Sequence, residues 1–311
     1  MMSEVNLREA DRLEVTVLVD NYTDALLLQD TDVVKRPRSL PPTSLLAEHG
    51  LSCLLKVCVG SEEHVVLMDA SVSSTCLFHN SDVLKRNLFD VESMVLSHGH
   101  FDHFGALVEF INKAEKRINL TLHPDAFLER RLNVPGGRVV EFPTLDEADL
   151  MQKDVEIYKA KEASTLASDL ILVSGEVDRV TDFEKGFQWA EAKIGDEWVV
   201  DPFLDDQGVA IKVKGRGLVV IGGCSHSGII NTVKHVQKIA RMSKIHAVLG
   251  GFHLTGPIFE PIIGTTIEEM RKIGPDFIVP MHCTGWKAIN QFAEAMPNQF
   301  LLNTVGTTYV F

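Results

Sequence analysis

The chain has 311 residues, 45% of them hydrophobic, enough to bury one large core. Lys and Arg total 30 against 43 Asp and Glu, a formal charge of −13. That field repels polyanions and argues against nucleic acid as a partner, although bound cations would reverse it locally for a small anionic substrate.

Five cysteines, Cys53, Cys58, Cys76, Cys224 and Cys283, are odd in number and contain no CxxC pair. They read as free thiols of a reducing compartment rather than as a disulfide framework. The opening stretch MMSEVNLREADRLEV is charged and lacks the apolar centre of a signal peptide. No apolar run approaches the ~20 residues that cross a bilayer. The expectation is a cytoplasmic protein with no membrane partner, built as one domain over residues 1–311.

In chain order, residues 13–19, 51–59 and 64–68 read as strands, with a Pro- and Arg-rich loop at 30–42. A strand at 93–97 leads into a helix over 104–116, then a strand at 118–122 and a short helix at 123–131. Residues 133–198, interrupted by Gly136, Gly137, Pro143 and Gly175, read as an elaboration of the core. From Gly208 a hairpin turns at 214–217. Helix 228–242, strand 245–249, helix 265–273, strand 277–280, helix 286–295 and a terminal strand 308–311 complete an α/β pattern.

The chemistry lies where apolar strands stop. VVLMDAS ends at Asp69, MVLSHGH at His98 and His100, LVVIGGCSH at Cys224 and His226, AVLGGFH at His253, and FIVPMHC at His282 and Cys283. Strand ends of this kind are where open α/β sheets bind ligands. The densest element is Ser97-His98-Gly99-His100-Phe101-Asp102-His103. In an extended segment His98 and His100 point the same way and could grip one ion together, with Asp102 and His103 facing a neighbouring position. A lone histidine on an apolar face is ordinarily a core residue with its hydrogen bonds satisfied. Three histidines and an aspartate within six residues are costly to bury without a cation. Such ligands suit two divalent ions, zinc first, with manganese or iron as alternatives.

The H-x-H-x-D-H element resembles the signature of the metallo-β-lactamase superfamily. The blocks LVDN, EHGLS, VLSHGHFDH, GGCSHSGIIN, GGFHL and MHCTG, in this order, resemble one branch, the 7,8-dihydropterin-6-methyl-4-(β-D-ribofuranosyl)aminobenzene-5′-phosphate synthases. The resemblance implies a four-layer αββα sandwich in which His98 and His100 hold one metal and Asp102, His103 and His282 the other, with Asp69 supporting them. The family's bridging aspartate is replaced here by the run Gly223-Cys224-Ser225-His226, so Cys224 or His226 is expected to ligate instead. The family's separate histidine has no clear counterpart, Glu176 being a weak one. His253 is expected either as a ligand or as a proton donor, and Asp102 as a ligand that also accepts a proton.

Asn21, Glu48, His49 and Cys283 are expected to contact substrate, and Asp20 and Thr284 to lie close by, with turn-making as the alternative for the first three and Asp20. Lys35, Arg36 and Arg38 would either receive a phosphate or form a solvated loop. The expected activity is metal-dependent hydrolysis or group transfer on a phosphate-bearing small molecule, including a dihydropterin synthase-type condensation. A phosphodiesterase and an iron-dependent, persulfide dioxygenase-like oxidoreductase are the alternatives.

Overall fold

Two large mixed sheets lie face to face, and strands whose side chains alternate between the two faces make both the centre and the outer layers. The computed structural model describes residues 5–311. In spatial order the first sheet runs Val155–Lys159, Ile118–Leu122, Ser93–Val95, Glu62–Met68, Ser52–Val59, Arg12–Val19, Thr308–Val310 and Val34–Lys35. The second runs Ser164–Leu166, Ile171–Val173, Val209–Val213, Gly217–Ile221, Ile245–Gly251 and Phe277–Met281, with Glu9–Ala10 paired to Val209–Val213.

Val15, Val17, Leu55, Val57 and Val66 of the first sheet meet Ile211, Val219, Ile221, Leu249 and Val279 of the second in one buried cluster. Their neighbours along each strand point the other way. Leu18, Leu54, Leu67, Met94 and Leu120 pack with Leu77, Leu107, Phe110 and Ile111 of helices Ser74–Val83 and Leu107–Lys113. Leu218, Val220, Val248 and Ile278 pack under helices Ile229–Ile239, Ile263–Ile273 and Trp286–Ala295. The layers are therefore helix, sheet, sheet, helix, the expected αββα sandwich. Strands covered on both faces are apolar throughout, which is why GLVVI and IHAVLGG lack alternation. Among the described residues no helix is long and apolar enough to cross a membrane.

The structure departs from expectation in four places. The helix expected at 104–116 is two pieces, Phe101–Phe104 and Leu107–Lys113, because Gly105 tucks against the backbone of Val72, where any Cβ would overlap it. The helix expected at 123–131 is a short turn, Pro124–Phe127, followed by the strand Arg130–Val134, which pairs with Ala190–Ile194. The segment 133–198 is divided. Val155–Lys159, Ser164–Leu166 and Ile171–Val173 extend the large sheets, while Arg130–Val134, Arg138–Glu141, Ala190–Ile194 and Glu197–Val200 form a separate four-stranded sheet. Helix Ser74–Val83 carries no clear apolar stripe in the sequence. It starts where the Ser73 hydroxyl accepts the Cys76 N–H at 3.1 Å.

Parallel pairing brings the C-terminal ends of the central strands to one edge. Glu62–Met68 and Ser93–Val95 run parallel in one sheet, and Gly217–Ile221, Ile245–Gly251 and Phe277–Met281 in the other. The sheets are tied at the ends of these strands: Gln207 donates from its backbone to Ser97 O at 3.0 Å and from its side chain to Leu96 O at 3.0 Å.

Gly99 packs so tightly on Ala126 that a Cβ would overlap that residue's backbone. Gly99→Ala is expected to destabilise by about 3 kcal/mol or more. Gly264→Ala, on an outer helix with open space around it, should be neutral or stabilising by up to ~1 kcal/mol. Urea unfolding of both variants checks the contrast.

Candidate metal centre

The donors enter from strand ends and from the turns and short helix that follow them. Asp69, Ser71, Ser225, His253 and His282 all hold left-handed backbone, with φ of 61°, 60°, 58°, 46° and 53°. Non-glycine residues adopt this region at a cost of ~1–2 kcal/mol each, and such residues gather at functional sites. Here the turns bring side chains from both sheets to one place.

Two overlapping donor groups result. Asp102, His103, Cys224 and His282 each place a ligand atom within 4.8 Å of the others, and so do His98, Cys224 and His226. Cys224 belongs to both. It stands where the family's bridging aspartate was expected, and His226 stands beside His98 as the companion donor. His100 adjoins the same cluster, its ring as near to His98 as that of His226. It lies outside both groups, with its Nδ1 3.2 Å from His226 Nε2 and its ring edge-on to His98 at 4.6 Å between centroids. His100 precedes the first turn of Phe101–Phe104, and the adjacent Gly99 N–H is fixed by Asp205 at 2.8 Å. A third group, Cys224, His253 and Cys283, adjoins the other two.

Supporting contacts orient these donors. Asp69, fully buried, accepts from Ser97 N–H and Ser97 Oγ, each at 2.7 Å, and lies 2.7 Å from His103 Nδ1. That leaves His103 Nε2 turned to Cys224 Sγ at 3.2 Å. Asp20 accepts the His282 N–H at 2.8 Å and an Asn303 amide N–H at 2.7 Å, while Asn21 donates to His282 O at 2.9 Å. His49 stacks on His282 at 5.0 Å, with its Nε2 3.6 Å from Asp102.

Burial, then the neighbouring imidazoles with His103 foremost, hold His98 well below the ordinary histidine range. Burial and the Arg130 charge lower His100 to about 3, and burial with His253 holds His226 well below that range too. These rings are neutral, the form that ligates metal. Burial opposes charge on His282, but its hydrogen bond to Asp102 and the Cys283 and Asp102 charges raise it to about 9. Burial likewise opposes charge on Asp102, yet His103 and the His282 hydrogen bond hold it far below the usual carboxylate range. Of the two adjacent thiols, burial and the Cys283 sulfur push Cys224 up, whereas Cys283, against its burial, is lowered by hydrogen bonding from Cys224 and by His253.

The donor set fits a cation on its own chemistry. His98 Nε2, His100 Nε2, His226 Nδ1 and His282 Nδ1 are buried without a hydrogen-bond partner. Unpaired buried nitrogens are costly, and coordination of those in the two groups would remove the cost.

Other expected residues lie elsewhere. Glu48 braces the neighbouring turn: its carboxylate accepts from Ser71 Oγ, from Ser73 N–H at 2.8 Å and from Ser73 Oγ at 2.6 Å. Glu176 faces His123 at 3.1 Å and Lys161 at 3.8 Å, outside the donor groups. Thr284 ties the backbone, accepting from Phe252 N–H and donating to Met281 O. Lys35 and Arg38 donate to carbonyls of their own loop, and Arg36 to Thr307 Oγ1.

Sequence reasoning passed over Arg130. Buried, it donates to Asp201 at 2.7 Å and to Asp205 at 2.8 Å, and Asp205 in turn holds Gly99. Its neighbour Arg131 is half-exposed, so the ERRL run gives no sign that one of the two is interior. Glu184 was also missed. It accepts from Ile230 and Asn231 N–H at 2.9 and 2.8 Å, at the start of helix Ile229–Ile239. It borders a cavity of about 600 Å³ that His226 and His253 share with Lys185, Gln188 and Phe259.

The sequence model of the metallo-beta-lactamase superfamily matches residues 59–234. The 7,8-dihydropterin-6-methyl-4-(beta-D-ribofuranosyl)-aminobenzene-5′-phosphate synthase of Methanocaldococcus jannaschii is 32% identical over 263 residues, 82% of this chain and 87% of that protein. A second, uncharacterized protein of the same organism is 34% identical, covering 84% of this chain and 92% of its own length. A solved metal-dependent hydrolase of the beta-lactamase superfamily superposes with a TM-score of 0.74 at 22% identity, covering 95% of this chain and 98% of its own.

Cys224→Ala is expected to strip the protein of both metal equivalents and His226→Ala of one, read by elemental analysis after exhaustive dialysis. A second expectation concerns pH. Burial raises Glu184 from 4.5 to about 7 despite the Ile230 and Asn231 hydrogen bonds. A carboxyl with a raised folded pKa binds more protons folded than unfolded, so its contribution is complete below about pH 4.5 and lost as pH rises through about 7. Glu184→Gln should flatten the wild-type decline in unfolding free energy over that window, a difference on the order of 3 kcal/mol. Denaturant titrations at stepped pH measure it.

Proposed function

This chain belongs to the metallo-β-lactamase superfamily, and on that footing we propose that it is a metal-dependent hydrolase or transferase acting on a small phosphate-bearing molecule. The observation that carries the reading is the pair of overlapping donor groups, joined through Cys224, beside a cavity that has its own cation and aromatic surface. The synthase name of the M. jannaschii relative supports the transfer version, which would be a condensation that expels a pyrophosphate.

His98, Cys224 and His226 would hold one ion and Asp102, His103, Cys224 and His282 the other, with His100 beside the first. The thiolate favours zinc over manganese, and iron is the alternative. When bound, such cations polarise phosphoryl oxygens and acidify water.

The chain's own groups supply the rest. Lys185 and Gln188 on the cavity wall offer donors to a phosphate. Phe259, on the cavity wall with its ring 4.5 Å from His253 between centroids, presents a face for a flat ring, and Phe187 packs against both rings. His253 Nδ1 is buried without a hydrogen-bond partner, which leaves this ring free to move a proton at the cavity wall. Asp102, held far below the usual carboxylate range, stays ionised and serves as an anionic ligand, with His49 Nε2 3.6 Å away.

The test loads the protein with zinc or manganese. It is then assayed on bis(p-nitrophenyl) phosphate and on a pyrophosphate-bearing dihydropterin with an aminobenzene acceptor. Turnover with at least one substrate, abolished by chelator, is expected. His253→Gln should lower kcat about 10²–10⁴-fold with metal content unchanged, while Asp102→Asn should lose both metal and turnover. A metal-loaded protein inert on both substrate classes, or full turnover in Asp102→Asn, would contradict the proposal.

A further inference from the structure

The third donor group has a use that the metal centre does not absorb. Cys224 and Cys283 are both free and buried, and they come from different strand ends: Cys224 follows Gly217–Ile221, and Cys283 lies in the turn His282–Thr284. Their sulfurs lie within 4.8 Å of each other and of a His253 ring nitrogen, and Cys283 Sγ is 3.5 Å from Cys224 O. Gly251 makes the meeting possible. A Cβ at that position would stand 2.6 Å from Cys283 Sγ and 3.2 Å from Cys224 Cα, in the space the sulfurs share. His253, with a ring nitrogen within 4.8 Å of the Cys283 sulfur, also lines the cavity beside the centre. The remaining cysteines are placed differently: Cys58 faces the Glu63 carboxylate, Cys76 the Leu46 carbonyl, and Cys53 is buried in a strand of the opposite sheet.

We propose that Cys224 and Cys283 are a site of oxidative modification, closing a disulfide with hydrogen peroxide and thereby withdrawing the Cys224 sulfur from both donor groups. One thiol sulfur attacks the peroxide O–O bond, which breaks to give a sulfenic acid and a first water. The second sulfur attacks the sulfenic sulfur, forming the S–S bond and releasing a second water. The two sulfurs give up two electrons and the peroxide takes them; the two waters take up two protons, both from the thiols in the metal-free protein, and one from Cys283 and one from solvent where Cys224 is bound as the thiolate. A dithiol reductant reverses the step by exchange. Formation of the bond stands on the geometry of the pair alone, whereas its effect on the metal centre rests on the reading of Cys224 as a ligand.

The experiment uses the zinc-loaded full-length chain and stoichiometric hydrogen peroxide. Thiols are counted in denaturant, linked peptides are mapped without reduction, and released zinc is followed with a chromogenic chelator. Two of the five thiols should disappear. A peptide joining Cys224 to Cys283 should appear with zinc release, and dithiothreitol followed by zinc should restore the starting state. Cys283→Ser and Cys283→Ala, checked for native circular dichroism, should form no such link, while Cys58→Ser should form it as the wild type does. Intact thiols, a link between other cysteines, or sulfinic acid at either residue without a link would overturn the disulfide. Zinc loss through sulfinic acid on Cys224 alone would do so while leaving its ligand role standing. A Cys224–Cys283 link with zinc retained would overturn the coupling and that ligand role together.

Discussion

One buried carboxylate organises the centre. Asp69 receives Ser97 twice and faces His103 Nδ1, all at 2.7 Å, in a position with no exposure to solvent. An ionised carboxylate is acceptor-only, and burying it is tolerable only when donors satisfy it. That requirement fixes Ser97, and Ser97 places His98. It also fixes the orientation of His103, whose other nitrogen then faces Cys224 from the opposite sheet. Arg130 performs the corresponding task for the preceding loop, bridging Asp201 and Asp205 while Asp205 holds Gly99. Removing one partner of such a buried pair ordinarily costs about 3–5 kcal/mol, because the other charge is left unpaired.

The strands and the edge they deliver to were legible because doubly covered strands leave continuous apolar runs, and the residues that end those runs are conspicuous. His98, Asp102, His103 and His282 could be placed together for that reason. Pairings set by packing could not. His226 reaches the His98 and His100 rings from the opposite sheet, at 4.9 and 4.8 Å between centroids, and no periodicity encodes that approach. Glu48 looked like a polar residue at a strand edge, yet Ser71 and Ser73 consume its carboxylate. The division of residues 133–198 between core sheets and a separate small sheet depends on long-range partners, and short strands such as Ile171–Val173 carry little local signal. Arg130 was hidden because a buried arginine is indistinguishable in sequence from an exposed one until its aspartates are seen.

A cysteine at the position shared by the two donor groups differs from a carboxylate in chemistry as well as in shape. A thiolate is softer than a carboxylate, selects zinc or iron over manganese, and can be oxidised. Cys283 and His253 crowd the same sulfur from the side of the cavity. The residue common to the donor groups is thus a sulfur with a second thiol within 4.8 Å, a combination that an aspartate in its place would not present.

The most direct measurement of whether Cys224 joins the donor groups is zinc K-edge X-ray absorption on the zinc-loaded protein. The account predicts a sulfur scatterer at about 2.3 Å together with nitrogen and oxygen scatterers at about 2.0–2.1 Å, the sulfur shell vanishing in Cys224→Ala. A first shell of nitrogen and oxygen alone in the wild-type protein would contradict it.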